Sequence, residues 1–203
     1  MELTYDCEMF KKTFESEFTW LNGFMRNVRR FGYKNAAFDP LSGKIWTYND
    51  LNRDSNRFAN AMKASNVKKS DVVFVQLFNS PQFLFGYIAS QKIGAIFNPA
   101  NFNLSPGETA EIIDHNKPKV YVYDAEIVQT AVAALSLCKH KPEVVIAVNV
   151  TSKEFILPEG HILYDDYIKD ASIENPPIDF NPYFYDEVVR LQTSGTTGTP
   201  KGV

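Results

Sequence analysis

The chain has 203 residues, 44% of them hydrophobic and 22% charged, with 21 basic and 24 acidic side chains for a net charge of −3. That size is ample for a buried core and suits one large domain or two small ones. The balance of charge gives no overall electrostatic reason to expect nucleic acid or an anionic membrane as a partner. The N-terminus is acidic and leads into no apolar core, so it does not read as a signal peptide. No run approaches the ~18 apolar residues that a membrane-spanning helix needs. Cys7 and Cys138 lie too far apart in sequence to suggest a disulfide scaffold or a cysteine metal site, so a reducing, cytoplasmic setting is expected.

Taken in order, residues 16–31 carry Phe18, Leu21, Phe24, Met25 and Val28 at helical spacing. Arg26, Arg29 and Arg30 fall near the end of that helix and suit the negative pole of its dipole, a solvated terminus in preference to a binding patch. Two short extended pieces, 35–38 and 44–47, flank Asp39-Pro40-Leu41-Ser42-Gly43 and read as a hairpin. Thr47 with Asp50 opens the next helix. Its inner face carries Leu51, Ser55, Phe58, Ala59 and Met62. Residues 71–78 are almost continuously apolar, as in a strand buried on both faces of a parallel sheet. Ser80-Pro81 starts a helix over 82–92, Gly94 stops it, and 95–99 is a second strand. Together they form a βαβ unit with an expected right-handed crossover.

Ser105-Pro106-Gly107-Glu108 combines a capping box with proline at the first helical position and leads a helix to about Asn116. A strand over 119–123, a helix over 126–138 and a strand over 144–148 follow, and 163–168 suits a short helix. The alternation predicts an α/β fold: a βαβ-type layered sandwich with a largely parallel sheet. Three prolines among residues 174–182 mark a connector. The expected division is an N-terminal α/β subdomain over 1–173, the connector over 174–185, and the start of a further sheet over 186–203. Residues 186–193 read as a strand. His115, His140 and His161 share no metal-ligand spacing and read as surface residues, while Trp20 and Trp46 fit core positions. No catalytic residue and no metal ligand is assigned.

The strand at 186–193 delivers the chain into Thr193-Ser194-Gly195-Thr196-Thr197-Gly198-Thr199-Pro200-Lys201-Gly202. Its glycines permit backbone N–H groups to converge, its hydroxyls add rotatable donors, and Lys201 adds a positive charge. The plain alternative is a flexible polar loop, which Pro200 stiffens. It is not a Walker loop, because proline and glycine flank the lysine.

This run resembles the signature loop of the adenylate-forming superfamily (acyl-CoA synthetases, adenylation domains and luciferase), whose pattern residues 193–202 match without a departure. Thr47-Tyr48-Asn49-Asp50-Leu51 is similar to that family's first short motif with Asp for Glu, and residues 91–99 to its second. With Asn98-Pro99 and 105–108, the order of motifs most resembles a fatty acid or other acyl-CoA ligase. The resemblance implies that Thr193, Ser194, Gly195, Thr196, Thr197 and Gly198 wrap the phosphates of ATP and that Lys201 stabilises their charge. It implies ATP, CoA and Mg2+, a carboxylic acid substrate, an acyl-adenylate and then a CoA thioester. The acceptor thiol and the class of acid stay open.

Such enzymes continue well past this loop, so an N-terminal part without activity of its own is expected. A non-catalytic binding module, or a piece of a peptide-synthetase-type adenylation enzyme, is the alternative. With later elements missing, the second anchor of the loop is expected to be absent, the loop mobile, and open sheet edges to favour self-association.

Overall fold

The computed structural model describes residues 6–151, 153–180, 183–193 and 201–202, without the side chains of 193, 201 and 202. Five parallel strands form the centre: β3 (Val72–Gln76), β4 (Ile96–Pro99), β5 (Val120–Asp124), β6 (Val144–Val148) and β7 (Ile162–Leu163), in the spatial order β4-β3-β5-β6-β7. β3 and β5 are buried along their whole length, which explains their near-continuous apolar sequence. Side chains alternate between two cores. Val73, Val75, Val120, Val122 and Ile146 face one layer, and Phe74, Tyr121, Tyr123 and Ala147 the other.

The first layer holds α3 (Tyr48–Ala64), α4 (Pro81–Ile93) and α7 (Tyr164–Ile168), contributing Phe58, Ala59, Met62, Ile88 and Tyr164. The second holds α5 (Pro106–Asn116) and α6 (Val128–Leu137), contributing Ile112, Ile113, Ala131 and Ala134. The chain leaves β3 through α4 to reach β4, then returns through α5 on the opposite face to β5. The strand order therefore reverses between β3 and β5, the arrangement of a doubly wound α/β fold.

The helix boundaries follow local chemistry. Thr47 and Asp50 form a reciprocal capping box on α3, as do Ser105 and Glu108 on α5 with Pro106 in its first turn. Ser80 caps α4, and Gly94 ends it at φ +69°, a left-handed conformation that suits glycine.

The N-terminal expectation needs correction. The helix read over 16–31 starts later, as α2 (Trp20–Phe31), because the Thr19 hydroxyl accepts from the Asn22 amide at 3.2 Å and caps it, and a separate helix outside that reading, α1 (Cys7–Glu17), precedes it. Phe18 lies between them, exposed. Trp46 is buried in the core as expected, but Trp20 is 41% exposed, stacked on Phe24 and edge-on to Tyr87. The antiparallel hairpin of β1 (Asn35–Phe38) and β2 (Ile45–Thr47) forms as read.

His115 is exposed, but the surface reading fails for the other two histidines. His140 is half-buried with Nε2 2.8 Å from the Pro118 carbonyl, and His161 is half-buried with Nδ1 2.8 Å from the Tyr123 hydroxyl. Burial lowers the His161 imidazole from its ordinary range. The segment after α7 lies along α3. Asn56 donates to the Ile173 carbonyl, Asn60 to those of Ser172 and Glu174, and Lys63 to that of Pro177 and to the Asp179 carboxylate, all at 2.7–3.0 Å. These three side chains occupy successive turns of one helix face.

Candidate functional site

β4 is the edge of the five-stranded sheet, and its open side receives residues 188–190. The Phe97 amide donates to the Val188 carbonyl and the Arg190 amide to the Phe97 carbonyl, both at 3.0 Å, making one parallel bridge between Phe97 and Val189. The strand expected over 186–193 is thus a bridge and then a short strand, β8 (Gln192–Thr193). Because the bridge is parallel, β8 follows toward the end of the sheet where β3, β4 and β5 finish. That end is where open α/β sheets bind their ligands.

Three buried amides hold this segment in place. Gln91 Nε2 donates to the Val188 carbonyl at 3.1 Å, and Asn98 Nδ2 to the Arg190 carbonyl at 2.6 Å. Asn116 Nδ2 in turn donates to Asn98 Oδ1 at 2.9 Å. Arg190 closes the circuit, with one guanidinium nitrogen 3.4 Å from Asn116 Oδ1 and two others on the Glu187 carboxylate at 2.6 and 2.7 Å. Asn98 is fully buried and Asn116 and Gln91 nearly so. A buried amide is costly unless paired, so each side chain finds a partner on the incoming segment or on its neighbour. Their positions gave only a weak signal in the sequence: Asn98 is a lone amide in an otherwise apolar strand.

β8 pairs antiparallel with β9 (Lys201–Gly202), Gln192 opposite Gly202 and Thr193 opposite Lys201. The expectation that the second anchor of the loop is missing is therefore wrong: residues 201–202 already supply it. The pairing brings the two ends of the 193–201 run side by side. Of the residues expected to bind phosphate, Thr193 and Lys201 sit in these strands, with side chains outside the described residues. Ser194, Gly195, Thr196, Thr197 and Gly198 lie outside the described residues altogether.

Several polar groups near the same end of the sheet are satisfied internally, whereas the Gln192 side-chain amide on β8 has both its nitrogen and its oxygen buried without a hydrogen-bond partner among the described residues. The Tyr121 hydroxyl donates to Gln76 Oε1 at 2.7 Å, and Gln76 Nε2 donates to the Asn101 carbonyl and the Thr109 hydroxyl at 3.0 and 3.3 Å. Asp124 at the end of β5 is buried, which pushes its carboxyl up, and it accepts from the Glu126 amide. Behind α4, Lys92 reaches Asn52 Oδ1, the Asn52 carbonyl, Ser55 Oγ and Asn56 Oδ1 on α3. Burial pushes its ammonium down to about 7. Among the described residues no cluster of three or more His, Cys, Asp or Glu side chains is arranged to hold a metal ion, and no helix is long and apolar enough to cross a membrane.

The family described as AMP-binding enzyme matches residues 24–203 of the chain. The 4-coumarate–CoA ligase CCL1 of Humulus lupulus is 30% identical over 179 residues, which are 87% of this chain and 31% of that protein. The acetyl-coenzyme A synthetase of Yersinia pestis (strain Pestoides F) is 33% identical over 178 residues, 81% of this chain and 27% of that protein. Among solved structures, the anthranilate CoA ligase AuaEII in complex with anthranoyl-AMP superposes with a TM-score of 0.81 at 21% identity, covering 93% of this chain and 34% of that one. A Mycobacterium tuberculosis fatty acyl CoA synthetase gives 0.72 at 23% identity, covering 91% of this chain and 33% of that one. The chain spans about a third or less of the curated relatives it matches.

Proposed function

The chain belongs to the AMP-binding enzyme family, and from that premise we propose that it is the N-terminal part of an AMP-forming acyl-CoA ligase, carrying the phosphate-holding loop of its ATP site. The observation that carries this reading is the pairing of Thr193 with Lys201 beyond the C-terminal end of β4. In sequence these two residues bracket a Ser-Gly-Thr-Thr-Gly run, and the strand that leads into it follows from the end of a parallel sheet at which such folds bind ligands.

The residues present fit a polyphosphate. Glycine-rich backbone amides and hydroxyls are donors without charge, and a lysine is the point charge that a phosphate oxygen accepts. In this reading Thr193, Ser194, Gly195, Thr196, Thr197 and Gly198 hold the phosphates of ATP, and Lys201 stabilises the charge that develops as pyrophosphate leaves. Such donors are each worth a few kcal/mol when water is excluded. The protein's part at this site is to hold the phosphates still while the carboxylate of the acid substrate attacks. The substrate is a carboxylic acid, a fatty acid foremost, and the thiol of CoA takes the acyl group. Mg2+ accompanies the ATP, and the enzyme works in the cytoplasm. The isolated 203 residues lack the remaining walls of the site and are inactive.

The test is ATP–pyrophosphate exchange. The protein encoded by the complete reading frame is expected to exchange label when given a matching acid from a panel of fatty and aryl acids. The 203-residue chain is expected not to. Exchange by neither, with every acid, overturns the ligase reading and favours a non-catalytic binding module. Exchange by the 203-residue chain at the rate of the longer protein overturns the claim that it lacks essential parts.

A further inference from the structure

The whole-chain charge of −3 conceals a strong asymmetry. Residues 18–48 contain five basic side chains and one acidic, leaving 16 basic against 23 acidic elsewhere. The basic residues Arg26, Arg29, Arg30, Lys34 and Lys44 are all exposed. Among the described residues none of them pairs with a carboxylate. Arg30 and Lys34 lie instead over the Phe31 ring and Lys44 over the Trp46 ring. The one acid, Asp39, is occupied within its own turn by the Ser42 hydroxyl and the Leu41 and Ser42 amides.

Large apolar side chains stand out from the same unit. Phe38 and Ile45 face each other across the hairpin and are 63% and 49% exposed, and Leu41 at its tip and Tyr33 at its base are each 77% exposed. The unit is rigid at its root. The Tyr48 amide donates to the Lys34 carbonyl and the Asn49 amide to that of Gly32, tying the end of α2 to the base of the hairpin. From Lys34 to Phe38 the extended chain covers about 13 Å. That length lets apolar side chains reach below a headgroup layer while the cations stay within it, since interfacial segments bury their apolar groups by about 5–10 Å.

We propose that the end of α2 and the β1–β2 hairpin form a docking surface for an anionic phospholipid bilayer. Arg26, Arg29, Arg30 and Lys34 meet the headgroups, and Phe38, Leu41 and Ile45 enter the acyl boundary. Charge complementarity selects the anionic surface, because the unpaired cations are concentrated on this unit while the rest of the chain is acidic. Apolar exposure selects a bilayer over a soluble polyanion. Nucleic acid would engage the cations and leave Phe38, Leu41 and Ile45 in water. The proposal is independent of the ATP site.

The test is co-sedimentation of the 203-residue chain with vesicles of phosphatidylcholine alone or of equimolar phosphatidylcholine and phosphatidylglycerol. Binding to the mixed vesicles is expected to exceed binding to the neutral ones by about tenfold or more at low salt, and to fall as salt shortens the Debye length. The triple variant R29E/R30E/K34E is expected to lose that preference. The double variant F38S/L41S is expected to weaken binding while keeping its dependence on anionic lipid. All five positions are exposed, and an unchanged circular dichroism spectrum establishes that each variant folds. Equal sedimentation with both vesicle types, sedimentation without vesicles, or wild-type binding by the triple variant overturns the proposal.

Discussion

Asn98 Nδ2 donates to the Arg190 carbonyl at 2.6 Å across 92 residues of chain, and this bond joins the edge of the central sheet to the segment that leads into the glycine-rich loop. Asn98 is fully buried and also accepts from Asn116, so it serves two partners at once. Replacing it with leucine leaves the Asn116 amide and the Arg190 carbonyl unpaired. Each orphaned group costs about 1–3 kcal/mol. The Asn98→Leu variant is therefore expected to lose at least ~2 kcal/mol in urea denaturation. A double-mutant cycle with Asn116→Leu is expected to show coupling, because the second substitution removes a donor that the first already orphaned. Strict additivity of the two losses contradicts the relay.

The relay also separates what the sequence reveals from what it hides. Caps and alternation are local, so Thr47 with Asp50, Ser105 with Glu108, and the apolar runs of β3 and β5 placed most of the α/β fold correctly. The partner of Asn98 is not local, and a single amide in Ile96–Pro99 carries no mark of where it points. Helix α1 escaped notice because it buries no residue in the core. It packs instead on residues 183–185, through Phe14 against Phe184 with ring centroids 5.3 Å apart and the Tyr183 hydroxyl on Glu15. Asn56, Asn60 and Lys63 look like a solvated helix face until the segment at 172–179 is laid along them. For the glycine loop, the motif was legible in full, and the structure adds the pairing of its two ends.

Lys92 makes stability depend on pH in a stated direction. Burial lowers its ammonium from an ordinary 10.5 to about 7, so between those values the unfolded chain holds more protons than the folded one. Stability contributed by this group therefore rises with pH above about 7 and is absent below it, where both states are protonated. Between pH 7 and 9 the unfolding free energy is expected to gain up to about 1.4 kcal/mol per pH unit from this one proton. Lys92→Met is expected to remove that slope, and to lower stability at pH 7 by leaving the oxygens of Asn52, Ser55 and Asn56 without their donor. Wild-type and variant curves of equal slope contradict the assignment.

Gly94 connects the end of α4 to the segment that follows α7. Its φ is +69°, and a Cβ added there would come within 3.0 Å of the Phe180 ring and 3.1 Å of Lys69 Cγ. Gly94→Ala is expected to cost about 1–2 kcal/mol from the left-handed conformation alone, with further loss as Phe180 is displaced. Limited proteolysis near Phe180 is expected to quicken in step. An alanine variant as stable and as protease-resistant as the wild type contradicts this packing.

The central claim is that the run from Thr193 to Lys201 grips the phosphates of ATP, and the direct measurement is ATP–pyrophosphate exchange by the complete protein with Lys201 intact and with Lys201→Met. The account predicts a loss of about a hundredfold, equivalent to a few kcal/mol of stabilisation in a water-excluded site, with the unfolding midpoint unchanged. Exchange by the methionine variant at the wild-type rate contradicts it.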